Sequence, residues 1–355
     1  MHSSIRYLST IQESSMMKFS SQDISDDHPL VSVVVPLYNG GKYIESTLTS
    51  ILSQSYDHYE ILVVNDGSTD DGPAKVSTRL EKFPGRIQLL NHPDRGNHGI
   101  AASRNLGILN ARGTFVAFID QDDLWLPERL ERQVQSLQRF PEAALVYAKC
   151  TFVDQQGIEK HLRGIHRTYG KGVAGEPQNV FSKLIKEDFI PNLTVLVRKS
   201  CLERVGLLDE GPRYEYEDWL LLSKLAFFYK VIFIPEVLAK WRMHNSNYSA
   251  YIFETGRLSY AEEHYTVALF SFLMNQQGVS HDEVRKSLHR RIWRFFLRAR
   301  SWGVSREAIE EHALNLLEVF PTERRTIQAA VRTIKLLHPK VLSAMRRVRR
   351  NVVGT

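Results

Sequence analysis

The chain has 355 residues, 43% of them hydrophobic, and a net charge of +6, enough for one full core and a second, smaller unit. No stretch of 18 residues is uniformly apolar, so no transmembrane helix is expected; the two cysteines, Cys150 and Cys201, read as buried thiols in a reducing cytoplasm rather than a disulfide framework. Charge is unevenly placed: Arg285 to Thr355 holds 17 Lys or Arg against 5 Asp or Glu, a balance of +12, which leaves −6 for the first 284 residues and suggests different tasks for the two parts.

Met1 to His28 is rich in Ser and Asp, lacks an apolar run of signal-peptide length and reads as a flexible leader. Four strand-then-helix units follow. Val31–Pro36 is the first predicted strand, with a helix near Lys42–Gln54. Glu60–Asn65 precedes a helix over Gly72–Lys82, and Arg86–Leu90 precedes one over Ile100–Asn110. Thr114–Ile119 leads to a helix beginning at Pro127. These strands are rich in Val, Ile and Leu without alternation, as when both faces of a mostly parallel sheet are covered. Ligands of such sheets bind beyond the carboxyl ends of the strands. Those ends gather Tyr38 and Asn39, Asp66, Asn91 to Arg95, and Asp120 to Asp123.

After Pro141 the pattern changes. Leu145–Val153 reads as strand, Gly157–Pro177 with its five glycines as a mobile loop, and Leu193–Val197 as apolar. Glu217–Phe228 fits an amphipathic helix, and Val231–Ile234 and Val237–Trp241 fit two strands. Beyond Phe253 the chain reads as helical, with breaks near Gly278, Gly303, Pro321 and Pro339.

Two clusters carry chemistry. Asp120-Gln121-Asp122-Asp123 follows a buried strand. Three carboxylates so close repel one another, and a cation among them keeps them ionised. Their hard oxygens suit Mg²⁺ or Mn²⁺, which also grip a diphosphate. The bland alternative is a solvated helix N-terminus, where acids favour the dipole. Asn65-Asp66-Gly67-Ser68-Thr69-Asp70 ends the second strand; Asp66 could accept a hydrogen bond from a base or ribose, or serve ordinary turn chemistry.

Four stretches occur in order: Val33-Val34-Val35-Pro36-Leu37-Tyr38-Asn39, Val63 to Asp70, Ser103-Arg104-Asn105-Leu106-Gly107 and Phe118 to Asp123. Together they resemble the successive motifs of the family 2 glycosyltransferases, over about Pro29 to Ser249. The resemblance implies a GT-A fold, an α/β architecture whose mostly parallel, Rossmann-like central sheet is flanked by helices. It divides the chain into a leader (1–28), a GT-A domain (29–250) and a basic, α-helical C-terminal extension (251–355). It also implies an inverting transferase of the hexosyl type that uses a nucleotide-sugar donor, first of all a UDP-sugar, with Mn²⁺ or Mg²⁺. Pro36, Tyr38 and Asn39 match the stretch lining the nucleotide pocket, with Tyr38 able to stack on the base. Asp66 matches the residue that reads the base, Arg104 a position near the donor, and Asp120 and Asp122 the aspartates holding ribose and metal. Asp123 matches a position near donor or acceptor. Tyr214-Glu215-Tyr216-Glu217-Asp218-Trp219 resembles the family's Glu-Asp-aromatic motif, which makes Asp218 the catalytic base. Trp241-Arg242-Met243-His244 resembles its aromatic-Arg-x-His ending, with Arg242 toward a phosphate and His244 toward metal or diphosphate. Gln121 stands where many relatives carry a small residue, and little consequence is expected of it.

Along a helix, Ile292, Phe295, Phe296 and Ala299 share one side. Such a helix either packs on its own protein or lies on an anionic membrane, and packing is the commoner use. Arg346-Arg347-Val348-Arg349-Arg350 suits anionic partners better. The expected location is cytoplasmic, with peripheral contact on the inner face of the membrane, and the expected acceptor is a glycan or lipid-linked sugar of cell-surface synthesis. A nucleic-acid-binding module gives no reason for the ordered acidic motifs, so no nucleic acid is expected. A nucleotidyltransferase would show a Gly-rich basic loop near Val31–Tyr43, and NAD binding a Gly-x-Gly-x-x-Gly after the first strand; neither occurs. An inactive sugar-binding relative would have no use for Asp120, Asp122 and Asp218.

Overall fold

The computed structural model describes residues 27–160, 168–211, 216–244, 258–276, 279–301 and 304–336. Outside them lie the expectations placed on residues 1–26, on Tyr214 and Glu215, on Ser249, on the breaks at Gly278, Gly303 and Pro339, on the basic run Arg346 to Arg350, and on the middle of the Gly157–Pro177 loop.

The first four units form as their sequence predicts, within a few residues. Strands β1 (Val31–Leu37), β2 (Tyr59–Asn65), β3 (Ile87–Asn91) and β4 (Phe115–Phe118) alternate with helices α1 (Ile44–Leu52), α2 (Gly72–Lys82) and α3 (Ile100–Asn110). Every residue of β1 is buried, which explains the missing alternation. There follow β5 (Leu124–Trp125), α4 (Arg129–Arg139), β6 (Ala143–Val153), β7 (Thr168–Tyr169), α5 (Phe181–Leu184), β8 (Leu196–Arg198), α6 (Lys199–Val205), α7 (Glu217–Phe228) and β9 (Lys230–Arg242).

These strands make one nine-stranded sheet in the order β3-β2-β1-β4-β8-β6-β9-β5, with β7 beside β6. β3, β2, β1 and β4 are mutually parallel, as are β6 and β9. β8 runs antiparallel between β4 and β6, β5 antiparallel to β9, and β7 antiparallel to β6. The sheet is therefore more mixed than expected. The antiparallel members have two or three residues, too few for a periodic signature.

Two other differences have local causes. The strands predicted on either side of Pro235 are one strand, β9, because a bulge absorbs the imino acid: Ala148 pairs with Ile234 and Lys149 with Val237. Helix α7 is buried nearly all round rather than amphipathic, since Trp219 to Ser223 and Leu225 to Phe228 all face protein.

Two hydrophobic clusters cover the two faces of the sheet. One joins Val33, Val35, Ile61 and Val63 to α1 and α4. The other joins Val34, Leu62, Val116 and Phe118 to α7 and to the helices after residue 257: α8 (Leu258–Met274), α9 (His281–Ser301), α10 (Arg306–Val319) and α11 (Arg324–Leu336). Ile292, Phe295 and Phe296 of α9 are at most 1% exposed, so its apolar side packs on the protein and is not free for a membrane. Among the described residues no helix is long and apolar enough to cross a membrane. Cys150 and Cys201 are buried and not bridged to each other.

Candidate active site

Register places the ends of β1, β2 and β4 side by side, with Leu37 opposite Asn65 and Val34 opposite Phe118. Beyond Leu37 the chain turns outward. Pro36 is buried in β1 past the last residue paired with β4, so its missing N–H leaves no gap in that ladder. Tyr38 is 48% exposed at the mouth of this edge. Its N–H donates to Gln121 Oε1 at 2.8 Å and its carbonyl accepts from Gln121 Nε2 at 2.9 Å. Asn39 has φ 49° and donates its N–H to Ser68 Oγ, while its Oδ1 accepts the N–H of Thr69. Asp70 takes the N–H groups of Gly41 and Gly72, which ties this loop to the start of α2.

Asp66 is only 3% exposed. Its Oδ1 accepts the N–H of His98 at 2.7 Å and its Oδ2 that of Gly99 at 3.0 Å. Gly99 caps α3 with φ 92°, a conformation that favours glycine. Asp66 thus anchors the entry to the helix that carries Arg104.

Arg104 is 2% exposed and joins two acidic segments. Its Nη2 donates to Asp120 Oδ1 and its Nη1 to Glu217 Oε1, each at 2.7 Å. Burial opposes its charge, but Asp120, Glu217 and Asp218 outweigh it and raise Arg104 above its ordinary value. Burial, then Asp218, push the Glu217 carboxyl up to about 7 against the pull of Arg104. Asp218 is raised above the usual carboxylate range, chiefly by burial, with Arg104 opposing. Asp188 beside it is raised well above that range by burial and by the charge of Asp218. Tyr216, at φ 84°, turns the chain sharply so that Glu217 and Asp218 open α7. Asp218 Oδ1 accepts the N–H of Trp219 at 2.7 Å within the first turn of α7.

The far end of the acidic turn meets β9. Asp122 Oδ2 lies 2.7 Å from His244 Nε2, and the His244 ring stacks on Tyr43. This bond spends the two groups on each other, and among the described residues no cluster of three or more His, Cys, Asp or Glu is placed to hold a metal ion. Asp123 is buried and accepts the N–H of Arg242 at 2.9 Å. Burial, then Asp122 and Asp120, hold Asp123 well above the usual range. Arg242 is 4% exposed, and its guanidinium donates to the carbonyls of Asp122, Asp154 and Gln155. It braces the acidic turn, and a phosphate would have to compete with those carbonyls.

The structure thus gathers the sequence-predicted residues at one sheet edge: Pro36, Tyr38 and Asn39 at the end of β1, Arg104 bonded to Asp120 and to Glu217 beside Asp218, and Asp122, His244 and Arg242 where the acidic turn meets β9. Sequence reasoning gave no task to Gln121, Glu217, Asp188 or Tyr43. Glu217 had a signal, since it adjoins Asp218 in the matched motif; the others meet the site only through the fold.

A family model described as Glycosyl transferase family 2 matches residues 32–208. The Escherichia coli UDP-Glc:alpha-D-GlcNAc-diphosphoundecaprenol beta-1,3-glucosyltransferase WfgD is 33% identical over 200 residues, 56% of this chain and 71% of WfgD. A Rickettsia typhi glycosyltransferase is 29% identical over 221 residues, 61% of this chain; the chain spans 65% of that relative's length. Staphylococcus aureus TarS 1–349 in complex with UDP superposes with a TM-score of 0.59 at 18% identity, covering 91% of this chain and 88% of that one. Mannosyltransferase PcManGT from Pyrobaculum calidifontis, in complex with GDP-Man and Mn²⁺, gives 0.55 at 19%, covering 98% and 94%. At such identities the two structures speak for the fold, and they share the GT-A arrangement of sheet and flanking helices. With its motifs in family order and 71% of a relative covered at 33% identity, the chain belongs to glycosyl transferase family 2.

Proposed function

We propose that this protein transfers a sugar from a nucleoside-diphosphate sugar, a UDP-sugar before others, to an acceptor hydroxyl with inversion at the anomeric carbon. The observation that carries this reading is the Arg104 bridge. It fixes the Asp120–Asp123 turn, on the donor side, against Glu217 and Asp218. An acceptor hydroxyl is a weak nucleophile and must lose its proton as it attacks. Asp218 takes that proton while a new bond forms between the acceptor oxygen and C1. The bond from C1 to the diphosphate breaks, and the nucleoside diphosphate leaves. A raised carboxyl in a closed setting is suited to the task. Tyr38 stacks on the base, Pro36 and Asn39 shape its pocket, and Asp66 reads the base if the loop at His98 yields. Asp120 faces the ribose. Asp122 and His244 would hold Mn²⁺ or Mg²⁺, which supplies positive charge to the departing diphosphate. Asp123 and Arg242 hold the turn in shape.

Support for the donor class comes from relatives: WfgD is named for UDP-Glc, TarS was seen with UDP and PcManGT with GDP-Man and Mn²⁺. WfgD's acceptor, a diphosphoundecaprenol-linked sugar, suits our reading of a lipid-linked or glycan acceptor in cell-surface synthesis. In this reading residues 29–250 form the catalytic domain and 251–355 the helical extension. The enzyme works in the cytoplasm, at the inner face of the membrane. The test is a panel of nucleotide-sugars with Mn²⁺ or Mg²⁺, following nucleoside diphosphate release. One donor should be turned over, and Asp218→Asn should lower that rate by a factor of about 10³ or more while donor binding persists. Unchanged turnover in the variant would remove Asp218 from the role.

A further inference from the structure

The C-terminal helices reach the ring next to the proposed base. Trp219, directly after Asp218, is 2% exposed. Its indole stacks on Tyr265 of α8, with centroids 4.2 Å apart and planes at 21°, and Tyr216 meets it edge-on at 5.0 Å. The indole N–H donates to the carbonyl of Leu184 at 2.8 Å. Over the same pair of rings lies the guanidinium of Arg291, from α9, with its central carbon 4.9 Å from the Trp219 centroid and 4.6 Å from that of Tyr265.

Arg291 is itself 4% exposed and bonded along its whole fork. Nη2 pairs with Glu262 of α8, Nε donates to Thr266 Oγ1 at 3.2 Å, and Nη1 donates to the carbonyl of Ile185 at 3.0 Å. Two further arginines of α9 grip the next residue: Arg294 Nη1 and Arg298 Nη2 donate to the carbonyl of Lys186 at 3.0 and 3.5 Å. The segment so held runs on to Asp188, whose carboxyl senses the charge of Asp218. A helix far along the chain therefore fixes two segments beside Asp218: residues 185–186 through their carbonyls, and residues 216–219 through the Trp219 ring.

We infer that Arg291 is a positioning residue for the Asp218 base, so that the C-terminal helices complete the catalytic centre rather than merely append to it. The inference rests on the glycosyltransferase reading above. Arg291 touches neither donor nor acceptor. It acts by holding Trp219, whose backbone N–H is bonded to the Asp218 carboxylate. A planar guanidinium can lie on two rings and fork to three acceptors at once; a lysine ammonium cannot.

The test uses the full chain with the donor found active, Mn²⁺ and the matching acceptor. Arg291→Lys should lower kcat about ten- to a hundredfold, the scale of a small misplacement of a reacting group. The KM for donor and the calorimetric affinity for UDP with Mn²⁺ should stay within about twofold, because the contacts of Arg291 run to Trp219, Tyr265, Glu262, Thr266 and Ile185 and not to Tyr38 or Asp122. The acid limb of the kcat–pH profile should move, since the surroundings of Asp218 change. Glu262→Gln, which keeps shape and loosens the fork, should do the same to a smaller degree and guards against a misfolded Arg291 variant. Equal losses in kcat and UDP affinity, or an unmoved pH profile in both variants, would overturn the inference. A wild type inert toward every donor would overturn the functional reading with it, whereas an active wild type with unaffected variants would overturn the positioning role alone.

Discussion

The side-chain amide of Gln121 closes a two-way hydrogen-bonded ring with the backbone of Tyr38, accepting its N–H and donating to its carbonyl. The amide takes the place of a neighbouring strand beyond the point where β4 stops pairing with β1. Gly40 leaves room for it: a Cβ there would lie 2.2 Å from Gln121 Oε1. The residue between the two key aspartates thus sets where Tyr38 stands. Gln121→Ala removes two exposed bonds and leaves the Tyr38 backbone to be ordered on binding, at a cost of about 1.4 kcal/mol, so UDP should bind about tenfold more weakly in calorimetry. Thermal stability should change little, because the pair sits at an open edge. Unaltered UDP binding would mean that Tyr38 does not contact the nucleotide.

The expectation of little consequence at Gln121 shows where sequence reading stops. β1, β2 and their helices were legible because uniform burial writes itself as uniform Val, Ile and Leu. The acidic turn was legible because like charges at such spacing need a reason. A glutamine that pairs with a backbone 83 residues away leaves no pattern in composition or periodicity. The same holds for Arg291, which read as one arginine among many on a basic helix and proves buried between Trp219 and Glu262. β8 and β5 were missed for a plainer reason, being three and two residues long.

Gly107, in the motif Ser103 to Gly107, lies where α3 crosses β1. A Cβ there would stand 2.4 Å from Val34 Cγ1, in a strand with no exposed residue to give way. Gly107→Ala should therefore cost about 1–3 kcal/mol by overpacking. For a chain of this size that lowers the melting temperature by several degrees. Adding Val34→Ala should recover part of the loss, and a double variant no more stable than Gly107→Ala would refute direct contact as the cause.

His244 and Asp122 meet at 2.7 Å over the ring of Tyr43. If both bind the cation, losing either should weaken it without harming the end of β1. His244→Ala should raise the Mn²⁺ concentration for half-maximal turnover by about ten- to a hundredfold, the usual scale for disturbing a metal site. Saturating Mn²⁺ should restore much of the rate. Chelator should abolish turnover in the wild type, and a chelator-treated enzyme at full rate would dismiss the cation altogether.

Glu217 and Asp218 should make stability and activity run in opposite directions with pH. The Glu217 carboxyl, raised to about 7 from an ordinary 4.5, holds its proton more tightly in the folded chain than in the unfolded one. Its contribution is therefore fully present below about 4.5 and is lost as pH rises toward 7. Asp218, Asp188 and Asp123 are displaced the same way, and Arg104 only partly compensates the first of them. Melting temperature should thus decline across that window, and Glu217→Gln should flatten the decline because the amide cannot ionise. Turnover should climb as pH rises above the ordinary carboxylate range, since Asp218, raised chiefly by burial, must be ionised to take a proton. In Glu217→Gln the acid limb should stay in place, because the Glu217 carboxyl keeps its proton while Asp218 loses its own. Melts and kcat measured between pH 4.5 and 8 on both proteins decide it: a melting profile no flatter in the variant would refute the raised Glu217 carboxyl.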